Sequence, residues 1–138
     1  MRRLLLCLVA AGATACADNA TSPNAVQFTN VAGVYALSTV NGQGLPLLMQ
    51  QDDTASVQLL RGAITLGSDN SFTDVITVQF NAPSGSTVQD DTLSGVYSLN
   101  GATVLFQPSN NTGTYTASVT DSTLVESDPG VTVVYRRQ

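Results

Sequence analysis

The sequence predicts an all-β domain: a small antiparallel up-and-down β-barrel of eight or nine short strands, with an open two-sheet β-sandwich as the alternative. Three observations lead there. From Val31 onward, β-branched and aromatic residues alternate with Ser, Thr and Gln, which is the period-2 pattern of half-buried strands. Turn residues break that pattern at intervals of roughly 8 to 12 positions. No window of helical length carries an i, i+3, i+4, i+7 apolar stripe, which leaves 45–50 (Leu-Pro-Leu-Leu-Met-Gln) as the one expected helical turn.

The chain opens with Met1-Arg2-Arg3 and an apolar run over residues 4–11. That run is shorter than the ~20 residues a bilayer span needs. With small residues at Ala13 and Ala15 it reads as an export signal, residues 1–15. Ala13-Thr14-Ala15-Cys16 resembles the lipobox of bacterial lipoproteins. The resemblance implies a diacylglycerol-modified Cys16 at the mature N-terminus, with Ala13 departing from the branched aliphatic residue the family prefers. Ordinary cleavage after Ala15 or Ala17 remains the other reading. Cys7 leaves with the signal, so Cys16 has no disulfide partner, and acylation accounts for a lone thiol in an oxidising compartment. Ala17 stands where the lipoprotein sorting pattern places Asp for inner-membrane retention, which implies the outer membrane in a host that has one. Residues 16–30 lack apolar periodicity and read as a polar, lipid-anchored tether.

The domain proper is 31–138. Strands are expected near 33–40, 55–60, 62–67, 71–80, 87–99, 102–107, 113–119, 122–126 and 131–136. Asn41-Gly42 and Asn100-Gly101 are tight-hairpin signals, and Gly67-Ser68-Asp69-Asn70 is another turn. Parity selects the inward face: Phe72, Ile76, Val78 and Phe80; Leu93, Tyr97 and Leu99; Val104 and Phe106; Tyr115, Ala117 and Val119; Val133 and Tyr135. The parity slips between Leu59 and Ile64, so Arg61-Gly62 is expected at a bulge. Asp74 falls on the apolar parity, where an unpaired carboxylate is costly; a solvated place near a strand end is expected, with Arg61, a Tyr hydroxyl or a ligand as the other partners.

Val31-Ala32-Gly33-Val34-Tyr35-Ala36-Leu37, Val40-Asn41-Gly42, Leu45-Pro46, Asp69-Asn70-Ser71-Phe72, Gly95-Val96-Tyr97 and Val133-Val134-Tyr135-Arg136-Arg137 resemble lipocalin-like domains of exported bacterial proteins. That resemblance covers about 31–137. Tyr35 stands where lipocalins carry Trp. The likeness implies first and last strands side by side, with a late Arg packed over the Tyr35 ring; by parity Arg137 is the one. It assigns no activity.

Composition removes most catalytic chemistry. The 138 residues contain no Lys, His or Trp and only 2 Cys, so there is no imidazole base, Schiff-base lysine or His-ligated metal. The net charge of −5, near −7 once Arg2 and Arg3 leave with the signal, argues against nucleic acid. The carboxylate pairs Asp52-Asp53 and Asp90-Asp91 point to opposite faces of any strand and make poor acid/base dyads. No enzyme activity, cofactor or metal site is expected. The expected function is a lipid-anchored envelope protein that binds a small apolar ligand among Tyr35, Leu37, Phe72, Phe80, Tyr97, Phe106 and Tyr115. The alternative is a structural or protein-interaction module with a filled core.

Overall fold

A computed structural model describes residues 30–138; the signal segment, Cys16 and most of the expected tether lie outside them. Ten strands follow one another: β1 (Gly33–Val40), β2 (Gln43–Gly44), β3 (Leu47–Gln51), β4 (Ser56–Leu66), β5 (Ser71–Ala82), β6 (Gly85–Asn100), β7 (Thr103–Pro108), β8 (Tyr115–Val119), β9 (Thr123–Asp128) and β10 (Val131–Arg137). Strand accounts for 72% of the described residues and helix for none of them.

Local chemistry sets the turns. Asn41 and Gly42 both sit at positive φ (50° and 77°), the requirement of a two-residue turn that follows the right-handed twist of its strands. At the β4–β5 turn, Asp69 accepts hydrogen bonds from the amide and hydroxyl of Ser71, at 3.0 and 2.6 Å, and Asn70 takes φ 65°.

Every strand pairing is antiparallel, and eight strands close into a barrel. The ring runs β1, β10, β9, β8, β7, β6, β5, β4 and back to β1. Closure rests on β1, which pairs with β10 (Tyr35↔Arg137, Leu37↔Tyr135) on one side and with β4 (Gly33↔Leu66 to Ala36↔Ala63) on the other. This closure excludes the open sandwich. Beyond Ala36 the partners part: the end of β1 pairs with β2, and the start of β4 pairs with β3. Those two short strands are the outermost of the ten-stranded sheet. The first rim of the barrel carries the turns at 67–70, 101–102 and 120–122, and the second carries those at 41–42, 83–84 and 129–130.

Two expectations are corrected. The segment expected as a helical turn, 45–50, holds strand β3 instead; its Leu and Met residues favour helix intrinsically, but the backbone of β4 supplies a pairing edge (Leu47↔Leu59, Leu48↔Gln58). Residues 55–60 and 62–67, expected as two strands, form the single strand β4, which absorbs the parity slip as a register shift between Leu59 and Arg61.

The barrel interior is filled at its middle. Tyr35, Ile64, Val104, Phe106 and Leu124 are fully buried. The Phe72 ring meets Phe106 edge-on at 4.9 Å, and Phe106 stacks on Tyr115 at 4.6 Å, favourable geometries for ring quadrupoles. Each such side chain contributes roughly 1.5–3 kcal/mol by leaving water. Gly95 makes room for the Phe72 ring: a Cβ there would lie 2.8 Å from a Phe72 ring carbon and collide with the Gln107 carbonyl oxygen.

Candidate functional site

The parity that fills the barrel with rings also turns four carboxylates toward its second rim. On β5, Asp74 follows Phe72 on the inner face and pairs with Leu93. On β6, Asp91 sits two residues from Leu93 and opposite Ile76. On β9, Glu126 pairs with Val133 on one side and Ala117 on the other, and Asp128 pairs with Val131. Tyr115 of β8 and Tyr135 of β10 enclose the group from the core side.

Asp74 therefore lies well inside its strand and half-buried, not near a strand end in water. Arg61 does not meet it: that guanidinium donates to the Thr77 hydroxyl at 3.0 Å, and Thr77 donates to Asp90 at 2.5 Å. Asp74 Oδ1, Glu126 Oε1 and the Tyr115 hydroxyl are each buried without a hydrogen-bond partner among the described residues. Burial raises the Asp74 carboxyl to about 6, with the charge of Asp91 adding to the effect. Burial likewise raises Glu126 to about 7, helped by Asp74 and then Asp128. Burial also raises the Tyr115 and Tyr135 hydroxyls, and the nearby charges of Asp74 and Glu126 push the same way. Beside this group a cleft of about 150 Å³ is lined by Asp74, Ile76, Asp91 and Leu93. It joins two carboxylates to two aliphatic walls.

The residues expected to line an apolar site are spread differently. Tyr35, Leu37, Phe72 and Phe106 are buried in the filled middle, packed against one another and their neighbours. The Tyr35 hydroxyl donates to the Val31 carbonyl and the Tyr97 hydroxyl to the Gly67 carbonyl, each at 2.8 Å. Tyr97 also borders a cleft of about 340 Å³ at the first rim, with Val31, Ala32 and Leu99. Tyr115 belongs to the carboxylate group. Phe80 is corrected: it is 43% exposed. Its inward parity holds, but β5 and β6 run on to a hairpin at Ala82↔Gly85, so Phe80 stands beyond the wall that would have covered it. At the first rim Arg137 lies 5.8 Å from the centre of the Tyr35 ring and donates to the Ala32 carbonyl. The fit is tight, because a Cβ on Gly33 would come within 3.0 Å of its Nε.

Comparison with protein-family models and with curated proteins finds no match for this chain. The site is thus read from its own chemistry.

Glu126 and Asp128 were not singled out by sequence reasoning, and Asp91 was read only as half of an adjacent pair. The signal existed: Leu124 is followed on the same parity by Glu126 and Asp128, and Leu93 is preceded by Asp91. Among the described residues no group of three or more His, Cys, Asp or Glu is disposed to hold a metal ion.

Proposed function

We propose that this chain is an exported cell-envelope protein, anchored through lipid on Cys16, whose lipocalin-like barrel binds a small, mainly apolar ligand at its second rim. The observation that carries the binding reading is the set of three buried oxygens without partners, on Asp74, Glu126 and Tyr115, beside an aliphatic cleft. Buried polar atoms in native proteins nearly always have a hydrogen-bond partner, whether protein, ordered water or ligand. A site that positions a few polar groups against apolar walls is what orients a small ligand. The ring-filled middle moves the ligand away from the barrel centre and limits it to roughly the size of a single six-membered ring, a scale on which ~150 Å³ cavities bind benzene.

The anchor rests on the lipobox-like Ala13-Thr14-Ala15-Cys16 and on the lack of a partner for Cys16 after cleavage. Several acyl chains, at about 0.8 kcal/mol per buried methylene, hold a protein at a bilayer without help from its surface. Native mass spectrometry of the protein extracted from its own envelope tests both halves. The expected result is a diacylglyceryl mass increment, absent in Cys16→Ser, and a retained small molecule. A mature mass without lipid refutes the anchor.

A second reading, a non-enzymatic interaction module, is favoured by the projecting strands. Leu48, Met49, Phe80 and Val88 are exposed on β3, β5 and β6. Ligand-free protein that crosslinks to one envelope partner through this ribbon would select it.

A further inference from the structure

The binding reading leaves the charge of the ligand open, and the chemistry of the second rim bears on it. Three features converge there. Asp74 Oδ1, Glu126 Oε1 and the Tyr115 hydroxyl are buried, and nothing among the described residues satisfies them. Tyr135, only 3% exposed, lies near enough to feel the charges of Asp74 and Glu126. No arginine among the described residues reaches them: Arg61 is engaged by Thr77, Arg137 lies over Tyr35 at the opposite rim, and Arg136, paired with Thr123, has the outward parity.

We propose that the second rim is a site for a small primary amine with an apolar body, its ammonium held by Asp74, Glu126 and Tyr115 and its carbon skeleton lying against Ile76 and Leu93. This rests on the ligand-binding reading above and adds the charge and the donor count.

The number of donors matches the number of acceptors. A primary ammonium carries three N–H groups, and three oxygens wait for them. Hydrogen bonds between an ammonium and a carboxylate are about twice as strong as neutral ones, and a cation returns what the buried carboxylates lose by leaving water. The Tyr115 ring is itself fixed by stacking on Phe106. A quaternary ammonium has the charge but no N–H, so it leaves the oxygens unpaired. An anion meets Asp91 and Asp128 as well as the first two carboxylates and is repelled. A bare divalent ion wants six or more oxygen ligands, and the described residues offer no such set.

Isothermal titration of the full-length protein in detergent, in amine-free phosphate buffer at pH 8, tests the inference. The ligands are benzylamine, benzyl alcohol and benzyltrimethylammonium, with calcium chloride titrated separately in amine-free borate. The expected result is saturable benzylamine binding, tighter than benzyl alcohol or the quaternary salt by about tenfold or more. Asp74→Asn and Glu126→Gln should each weaken it by a similar factor. Both variants remove charge and keep shape, and circular dichroism of each confirms the fold. Equal binding of benzyl alcohol and benzylamine overturns the amine while leaving a ligand site in place. Calcium binding lost in the same variants overturns it in favour of a metal. Benzylamine binding unchanged in both variants places the amine elsewhere and overturns it. If none of the four saturates, the amine inference and the ligand reading fall together.

Discussion

Replacing Glu126 by Gln should make this protein more stable at pH 8 and no more stable at pH 4. The carboxyl is raised from its ordinary 4.5 to about 7, first by burial, then by the charges of Asp74 and Asp128. The native state therefore holds this proton more firmly than the unfolded chain does. Stability is full below pH 4.5 and is lost as the pH climbs through 7. At 1.36 kcal/mol per pH unit, ionised Glu126 costs the fold about 3 kcal/mol at pH 8. Glutamine removes the charge but keeps a polar group without partners, and returns about 1 kcal/mol of the gain. The net expectation is about 2 kcal/mol of stabilisation at pH 8, or a rise in Tm of roughly 8 °C for a domain of this size. Thermal unfolding followed by circular dichroism at pH 4, 6 and 8 measures it, and the variant's advantage should open between pH 5 and 8. Exposed Asp52 and Asp69 work in the opposite direction. Hydrogen bonds from neighbouring amides and hydroxyls hold both below the usual carboxylate range, and that support is lost as the pH falls below 4. An equal loss of stability at pH 4 and pH 8 in Glu126→Gln would refute the reasoning, because it would mean that a protein group satisfies the carboxylate.

Three further outcomes are expected. Phe106→Ala empties the centre of the ring cluster and should cost about 3–5 kcal/mol in urea titration; a cost below 1 kcal/mol would mean that the core collapses onto the gap. Gly95→Ala places a methyl against the Gln107 carbonyl and the Phe72 ring, and should destabilise by about 1–3 kcal/mol or more, whereas Gly101→Ala, where a Cβ meets nothing, should cost less, with only its positive φ to strain it. Arg137→Ala removes the cation over Tyr35 and the bond to the Ala32 carbonyl; a loss of about 1 kcal/mol is expected, and unchanged unfolding would show that neither contact contributes.

The alternation of side chains made most of the barrel legible. The first strand was bounded at 33–40, as found, because Tyr35 and Leu37 alternate with smaller or polar neighbours and an Asn-Gly turn ends the run. Phe72, Tyr97, Phe106, Tyr115 and Tyr135 all point inward, as parity requires. What parity cannot report is position along the barrel axis. Phe80 has the inward parity and still stands in water, because its hairpin outruns the neighbouring strands. Strand β3 was missed for a related reason. Its residues are mostly exposed, so they carry no burial pattern, and its backbone pairing with β4 holds it. The site was half legible: Asp74 stood out among apolar neighbours, but Glu126 carried no such mark until β9 and β10 were placed in register, with Val133 beside it.

The two rims of the barrel also differ as sources of an electric field. At the first rim Arg136 and Arg137 offset Asp69 and Asp121, while Asp52, Asp53, Asp91, Glu126 and Asp128 gather toward the second. The domain is thus a dipole aligned with the barrel axis, negative at the second rim. Such a field turns the molecule before any contact is made: a cation diffusing nearby is drawn to the second rim, and a surface of anionic headgroups repels that rim most strongly. The chain enters the barrel at Asn30–Val31, beside the balanced first rim. With the proposed lipid anchor holding it above a negative bilayer, the domain would stand on its neutral end with its charged mouth turned outward, and this preferred orientation should weaken as salt shortens the Debye length below ~10 Å.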